Sequence, residues 1–366
     1  MGNVNTILLN TINGLFNLDK NNNYINGQRI NKNFDLIVFG GIVQDLVSYA
    51  ERIPNPGESI RGTSFKTFCG GKGANQAVMA AKLGTKVAMI GYVGDDIFAD
   101  NNISSLAKNG VDVSLIKKLE NMATGVASIN VTSDGENSII VNLGANAFLG
   151  GKRAKELESV ICNARMFLCQ QEISKDGNYE ALKMASENGV ITFFNSAPGD
   201  VNMNPELLGF CDIICANENE TEFLTNRQML NNEDIEDCAR IIIEKGPKIV
   251  IITLGPKGAL VAQKYEEDIE PSMCWIKAPK VSAVDTTVKN LNFEGTGAGD
   301  CFCGSLAHFL LEIGFDKSQK NIYSKVNESV QKAVEIAAIS VQRQGAQASY
   351  PDSLELYEKG ILKLIF

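Results

Sequence analysis

The run GTGAGDCFCGSLAHFLLEI, from Gly295 to Ile313, follows the strand-like AVDTT and leads straight into a helical apolar pattern. That spacing predicts a helix N-terminus at residues 297 to 300. Glycines there let backbone N–H groups approach an anion closely, and the helix dipole favours negative charge, so Gly297, Ala298 and Gly299 are suited to cradle a phosphate. A carboxylate beside a phosphate is electrostatically unfavourable. Asp300 makes chemical sense as a base that takes the proton of an attacking hydroxyl while the amides stabilise the transferring group. The alternative for Asp300 is a helix cap, and this run alone does not separate the two.

A second glycine-rich run, CGGKGANQAVMAAKLG, opens an Ala-rich helical pattern at residues 70 to 75. It lacks the GK[ST] ending of a Walker A loop and the last glycine of the dinucleotide fingerprint. It offers close backbone approach at Gly71 and Gly73, with Lys72 as donor and Asn75 as donor and acceptor, a set suited to a polyhydroxylated ligand. A tightly packed strand-to-helix turn would need the glycines but not Lys72 and Asn75. Asp45 follows the first strand in GGIVQDLV, at the sheet edge where open α/β folds place ligands, and by itself also reads as a turn residue. Asn217 and Glu220 in CANENETEF form an Asn-x-x-Glu that on its own is a capping box. His308 is the sole histidine and lies in the apolar run LAHFLLEI, so it reads as a packed helix residue rather than a proton shuttle.

These groups need a scaffold, and the chain supplies the pattern of one. From residue 34 on, FDLIVFGGI, VAMIGYVG, MFLCQQE, ITFFNSA, CDIICAN and KIVIITLG alternate with segments of helical length. This is the βαβ signature of an α/β fold with a mostly parallel central sheet flanked by helices. Two stretches break the rhythm, one at 45 to 68 and one at 121 to 142 around an Asp134-Gly135 turn. They predict a small antiparallel β lid. Residues 1 to 33 are Asn-rich and read as a poorly ordered extension outside a domain of 34 to 366; Gly2 with Thr6 fits the loose myristoylation pattern. The chain has 366 residues, 44% hydrophobic and 21% charged, with 34 basic against 43 acidic residues and a net charge of −9, which argues against nucleic acid as a partner. No apolar stretch approaches the ~18 to 20 residues of a bilayer span. The nine cysteines form no CxxC pair and predict reduced, mostly buried thiols in a cytoplasmic protein.

Taken in order, GGKGANQA, the GAN at 144 to 146, CQQEIS, ANENE, ITLGPKG, VDTT, GAGD and GAQASYP resemble the ribokinase branch of the phosphofructokinase B sugar-kinase family, over residues 34 to about 352. The resemblance implies ATP-dependent phosphorylation of D-ribose at its 5-hydroxyl. It implies that Asp45, Gly71, Lys72, Gly73, Asn75 and Glu172 hold the sugar and that Asp300 is the base, with Gly297, Ala298 and Gly299 as the anion hole. ATP would map to Asn217, Thr253, Gly255, Gly258 and Gly299, and Glu220 would help to order Mg²⁺. An activating K⁺ would map to Asp285 and Thr287 with Ser340, Arg343, Gly345 and Ser349. The lid of such enzymes clasps a second subunit, which implies a homodimer. Another sugar or nucleoside kinase of the fructokinase or adenosine kinase type shares the GAGD end. GGKGAN with Asp45 favours ribose.

One departure stands out, because the family reads VDTTGAGD without a break and here nine residues, VKNLNFEGT at 288 to 296, intervene. The insertion is a looped-out segment, a gene-model artefact, or a change that uncouples the cation site from the anion hole. The last case would leave a catalytically impaired sugar-binding relative.

Overall fold

The six apolar runs read as strands form the parallel part of one eight-stranded sheet. In this computed structural model the described residues are 33–134, 136–265, 268–281, 297–316 and 322–362, with the backbone of 23–25 and 28–30. The expectations for Gly2, Asp285, Thr287 and the 288 to 296 insertion lie outside them. From edge to edge the sheet runs Ser272–Ile276, Ala259–Gln263, Ile249–Thr253, Ile213–Asn217, Ile191–Asn195, Met166–Cys169, Leu36–Phe39 and Val87–Ile90. The last six are parallel and the first two antiparallel. The antiparallel pair adds to the sequence reading. Its signal is ITLGPKG followed by ALVAQ, two apolar runs around a glycine-flanked turn.

The parallel strands are apolar on both faces because helices cover both. Leu36 and Val38 face a layer holding Ala77, Phe302 and Val330, which belong to the helices Lys72–Lys82, Ala298–Glu312 and Tyr323–Ser340. Ile37 and Phe39 face the other layer, with Leu182 and Ile242 from Lys175–Glu187 and Asn232–Ile243. The packing of each helix therefore fixes where its first turn meets the sheet edge.

The lid is a separate four-stranded sheet in the order Asn137–Asn142, Gly125–Thr132, Val43–Ala50 and Ser64–Gly70. Its two outer pairings are antiparallel, as expected, while its central pair is parallel, joining Val43 to Gly125 and Ala50 to Thr132. A parallel centre follows from topology: the two hairpins come from distant parts of the chain and enter the lid from the same end. Val43, Val47, Ala127, Ile129 and Val131 give it a small core of its own. At its root Asn146, of the GAN run, clamps both backbone polar groups of Ile42, accepting from its N–H at 3.0 Å and donating to its carbonyl at 2.8 Å.

Within the segment read as an extension, Asn23–Ile25 and Gln28–Ile30 pair antiparallel. His308 is a packed residue, 2.8 Å from Thr85 Oγ1, and burial pulls its pKa down to about 4. All nine cysteines are unpaired. Among the described residues no helix is long and apolar enough to cross a membrane.

Candidate active site

The expected residues gather along the carboxyl ends of the parallel strands, in the order the strands take in the sheet. Gly40 and Gly41 follow Leu36–Phe39, Gln170 and Glu172 follow Met166–Cys169, Asn195 ends its strand, and Asn217 lies in register with Thr253 at the ends of theirs. Open α/β sheets bind ligands at this edge.

At one end the helix Lys72–Lys82 begins directly against the loop after Leu36–Phe39. Gly71 sits at φ 90°, and a Cβ there would stand 2.7 Å from the Gly41 carbonyl oxygen and from Val43 N. A Cβ on Gly73 would stand 2.8 Å from Gly40 C. Both glycines permit this close backbone approach, and Lys72 and Asn75 lie in the same helix start. Glu172 is buried and accepts the Lys72 backbone N–H at 2.6 Å, the favourable place for a carboxylate at a helix N-terminus. Asp45, in the first lid strand, is half-buried; burial, with the nearby charges of Glu172 and Asp300, pushes its carboxyl up to about 7 against a smaller opposing pull from Lys72. Asp45, Lys72, Glu172 and Asp300 therefore share one electrostatic neighbourhood.

Asp300 occupies the first turn of Ala298–Glu312, whose N-cap Gly297 is left-handed at φ 66°. Its carboxylate is buried and oriented by two amides from the other helix: Asn75 Nδ2 donates to Oδ2 at 3.0 Å and Gln76 Nε2 to Oδ1 at 2.8 Å. The N-cap Gly297 has no side chain to accept the first N–H groups, so Asp300 in that first turn is compatible with both the base and the cap reading. Where a Cβ on Gly299 would point, none of the described residues lies within 4 Å.

Four residues outside the expected set complete the arrangement. Gln76 also donates to Asn195 Oδ1 at 3.0 Å and accepts from Gln170 Nε2 at 2.7 Å, so its amide is fully engaged. Gln347 Nε2 donates to Asn75 Oδ1 at 3.0 Å, which fixes the Asn75 amide with its NH₂ toward Asp300. Gln76, Gln170, Asn195 and Gln347 lie inside the runs GGKGANQA, CQQEIS, ITFFNSA and GAQASYP, yet composition gives no hint that they meet.

At the other end Asn217 caps Glu218–Thr225. The reciprocal capping box is present, with Glu220 N–H to Asn217 Oδ1 at 2.8 Å and Asn217 N–H to Glu220 Oε2 at 2.8 Å, and Asn217 Nδ2 adds a bond to Glu220 Oε1 at 3.0 Å. Both readings of Asn-x-x-Glu remain compatible, because the cap also fixes a buried carboxylate at the strand ends. Thr253 ends the neighbouring strand, and Gly255 and Gly258 flank the following turn with positive φ. Among the described residues no group of three or more Asp, Glu, His or Cys side chains could hold a metal.

The remaining cation candidates lie together in the loop after Tyr323–Ser340. Ser340 and Ser349 are buried, with hydroxyls donating to the Ala337 and Ala346 carbonyls at 2.8 and 2.7 Å. Arg343 pairs with Glu355 and reaches the Ser349 carbonyl at 3.5 Å; Gly345 is left-handed at φ 83°.

With this geometry in hand, the chain compares as follows. The family model for pfkB family carbohydrate kinases matches residues 33–353. The ribokinase of Mus musculus is 38% identical over 321 residues, 88% of this chain and 93% of that protein. The deoxyribokinase of Salmonella typhi is 35% identical over 325 residues, 89% of this chain and 98% of its own length. The structure of Arabidopsis thaliana ribokinase complexed with ribose and ATP superposes with a TM-score of 0.76 at 28% identity, covering 91% of this chain and 100% of that one.

Proposed function

The chain belongs to the pfkB family of carbohydrate kinases, and from that premise we propose that it transfers the terminal phosphoryl group of ATP to the 5-hydroxyl of D-ribose, giving D-ribose 5-phosphate and ADP. The reading rests above all on the convergence of Asp45, Lys72, Glu172 and Asp300 at one end of the sheet edge, with Asn217 and Thr253 side by side at the other. The Arabidopsis enzyme was solved with ribose and ATP, which supports the same two ligands here.

In this reading Asp45 accepts hydrogen bonds from neighbouring sugar hydroxyls, while Lys72, Asn75 and Glu172 fix the ring so that the primary hydroxyl meets Asp300. Asp300 takes the hydroxyl proton as the new O–P bond forms, and ADP departs with the electrons of the broken bond. The amides at Gly297, Ala298 and Gly299 and the dipole of their helix stabilise charge on the transferring phosphoryl. Asn217, Thr253, Gly255 and Gly258 line the nucleotide end, and Glu220 stands behind the phosphates. Mg²⁺ would enter with ATP and neutralise phosphate charge. A bound K⁺ near Ser340, Arg343, Gly345 and Ser349 would supply fixed positive charge beside the anion hole. The lid is the proposed dimer surface, supported by Phe65, Ile140 and Val141, which expose apolar area on its strands. A cytoplasmic location is consistent with the unpaired cysteines.

ADP release with Mg·ATP and K⁺ tests the assignment. D-ribose is expected to give a kcat/KM at least about 10-fold above 2-deoxyribose, fructose or adenosine. Preference for 2-deoxyribose would transfer the assignment to the activity named for the Salmonella relative, and preference for fructose or adenosine would refute it outright. In the same assay Asp300→Asn is expected to lose about 1,000-fold in kcat while ribose binding, measured by calorimetry, stays within about 3-fold.

A further inference from the structure

Lys82 ends the helix that Lys72 and Asn75 begin, seven residues after Asn75 and so close to two turns further along the same face. Its ammonium is half-buried and donates to two main-chain carbonyls of the loop that follows Tyr323–Ser340: Gln347 O at 3.2 Å and Tyr350 O at 2.8 Å. The side chains of those two residues reach the site. Gln347 Nε2 holds Asn75 Oδ1 at 3.0 Å, with Ser105 Oγ donating to Gln347 Oε1 at 3.3 Å, and Tyr350 Oη donates to the Gly297 carbonyl at 2.8 Å.

We propose that Lys82 is a positioning residue for phosphoryl transfer: by clamping the Gln347 and Tyr350 carbonyls it sets the two side chains that orient Asn75, and through it Asp300, and that fix the N-cap of the anion-hole helix. The proposal rests on the phosphotransfer reading above and goes beyond it. The loop has no strand or helix ladder to hold it, so its carbonyls need donors from elsewhere, and a charged donor gives the stronger bonds. Burial pulls the Lys82 pKa down, as expected for an ammonium set into the protein and held there by acceptors, with Asp352 and Glu355 favouring its charge and Arg343 opposing it. One helix thereby touches both sides of the reacting centre, with Asn75 on the carboxylate and Lys82 on the loop.

Steady-state kinetics on Lys82→Met, Lys82→Arg, Gln347→Leu and the Lys82→Met/Gln347→Leu double variant test this. Lys82→Met is expected to lose about 30-fold in kcat with KM for ribose within about 3-fold, and Lys82→Arg to recover to within about 3-fold of wild type. Gln347→Leu should lose about 10-fold, and the double variant about 30-fold rather than the product of the two, because both act through one contact chain. Losses that multiply, a Lys82→Met kcat near wild type, or no rescue by Arg would each overturn the proposal. If Lys82→Met does not fold, Lys82→Gln, which keeps an uncharged NH₂ donor, takes its place with an expected loss of about 10-fold. Hydrogen exchange without any sugar gives a readout independent of the substrate assignment: the Lys82 variant should exchange faster both at 345–350 and at 301–304, where Cys301 N–H donates to the Gly297 carbonyl. Faster exchange in the first segment alone would break the proposed link even if no sugar were turned over.

Discussion

Among the single residues, Asp45 makes the most specific statement about pH. Its carboxyl is raised from the usual 3.8 to about 7, so the folded chain binds a proton there between about pH 4 and pH 7 that the unfolded chain releases. Its contribution to stability therefore falls across that window and stays unfavourable above it. Asp45→Asn is expected to raise the melting temperature of the sugar-free protein by about 3 °C at pH 8 and by less than about 1 °C at pH 4. Ribose affinity of the unaltered protein should tighten as pH rises through about 7, since the ionised carboxylate is the stronger acceptor. A lower melting temperature for the variant at pH 8, or a flat affinity from pH 5.5 to 8.5, would refute the assignment of Asp45 as a strained acceptor. Asp45 was legible from its place after a strand. Gln347 was not: it meets Asn75 across 272 residues of sequence, and a neutral amide has no local signature.

At the scale of the element, the two glycine-rich helix starts look alike in sequence and differ in purpose. Gly71 is left-handed with backbone at 2.7 Å from a would-be Cβ, whereas Gly299 is helical with none of the described residues within 4 Å of one. Gly71→Ala is expected to cost about 3 kcal/mol in stability by denaturant unfolding. Gly299→Ala should leave stability within about 0.5 kcal/mol and cut kcat by about 100-fold, since its methyl group occupies the anion's approach. Equal effects of the two on unfolding would contradict this division. The six parallel strands were readable because burial on both faces leaves an unbroken apolar run, such as LIVF at Leu36–Phe39. Ser272–Ile276 was not, because this edge strand alternates weakly and carries Trp275 and Cys274 partly exposed. The parallel centre of the lid was also out of reach, since pairing direction is decided by how distant segments enter a sheet and not by their composition.

For the whole molecule, the question carried by the sequence alone is the segment 288 to 296, whose removal restores VDTTGAGD. The helix that opens at Gly297 is anchored independently of it by Tyr350, Asn75 and Gln76, so the placement of Asp300 does not depend on that join. Deleting 288 to 296 is expected to keep kcat at saturating K⁺ within about 3-fold and to lower the K⁺ concentration for half-activation by about 10-fold, as the linked ligands gain effective concentration. Unchanged K⁺ dependence would dissociate the insertion from the cation site, and loss of folding would make it a structural part of the chain.

The strand order has a consequence for biosynthesis. After Leu36–Phe39 and Val87–Ile90, Met166–Cys169 is laid on the other side of Leu36–Phe39 and each later strand of the sheet beside the one before it, outward to Ser272–Ile276. Only then does the chain return to the middle, where Ala298–Glu312 packs on Lys72–Lys82 with Cys301 Sγ 3.5 Å from Met79 Sδ. A nascent chain emerging from the ribosome can thus complete the strands behind both ligand ends before it acquires its proton acceptor. Gln347 and Tyr350 arrive later still, so a chain cut short before residue 350 lacks part of the hydrogen-bonded frame around Asp300.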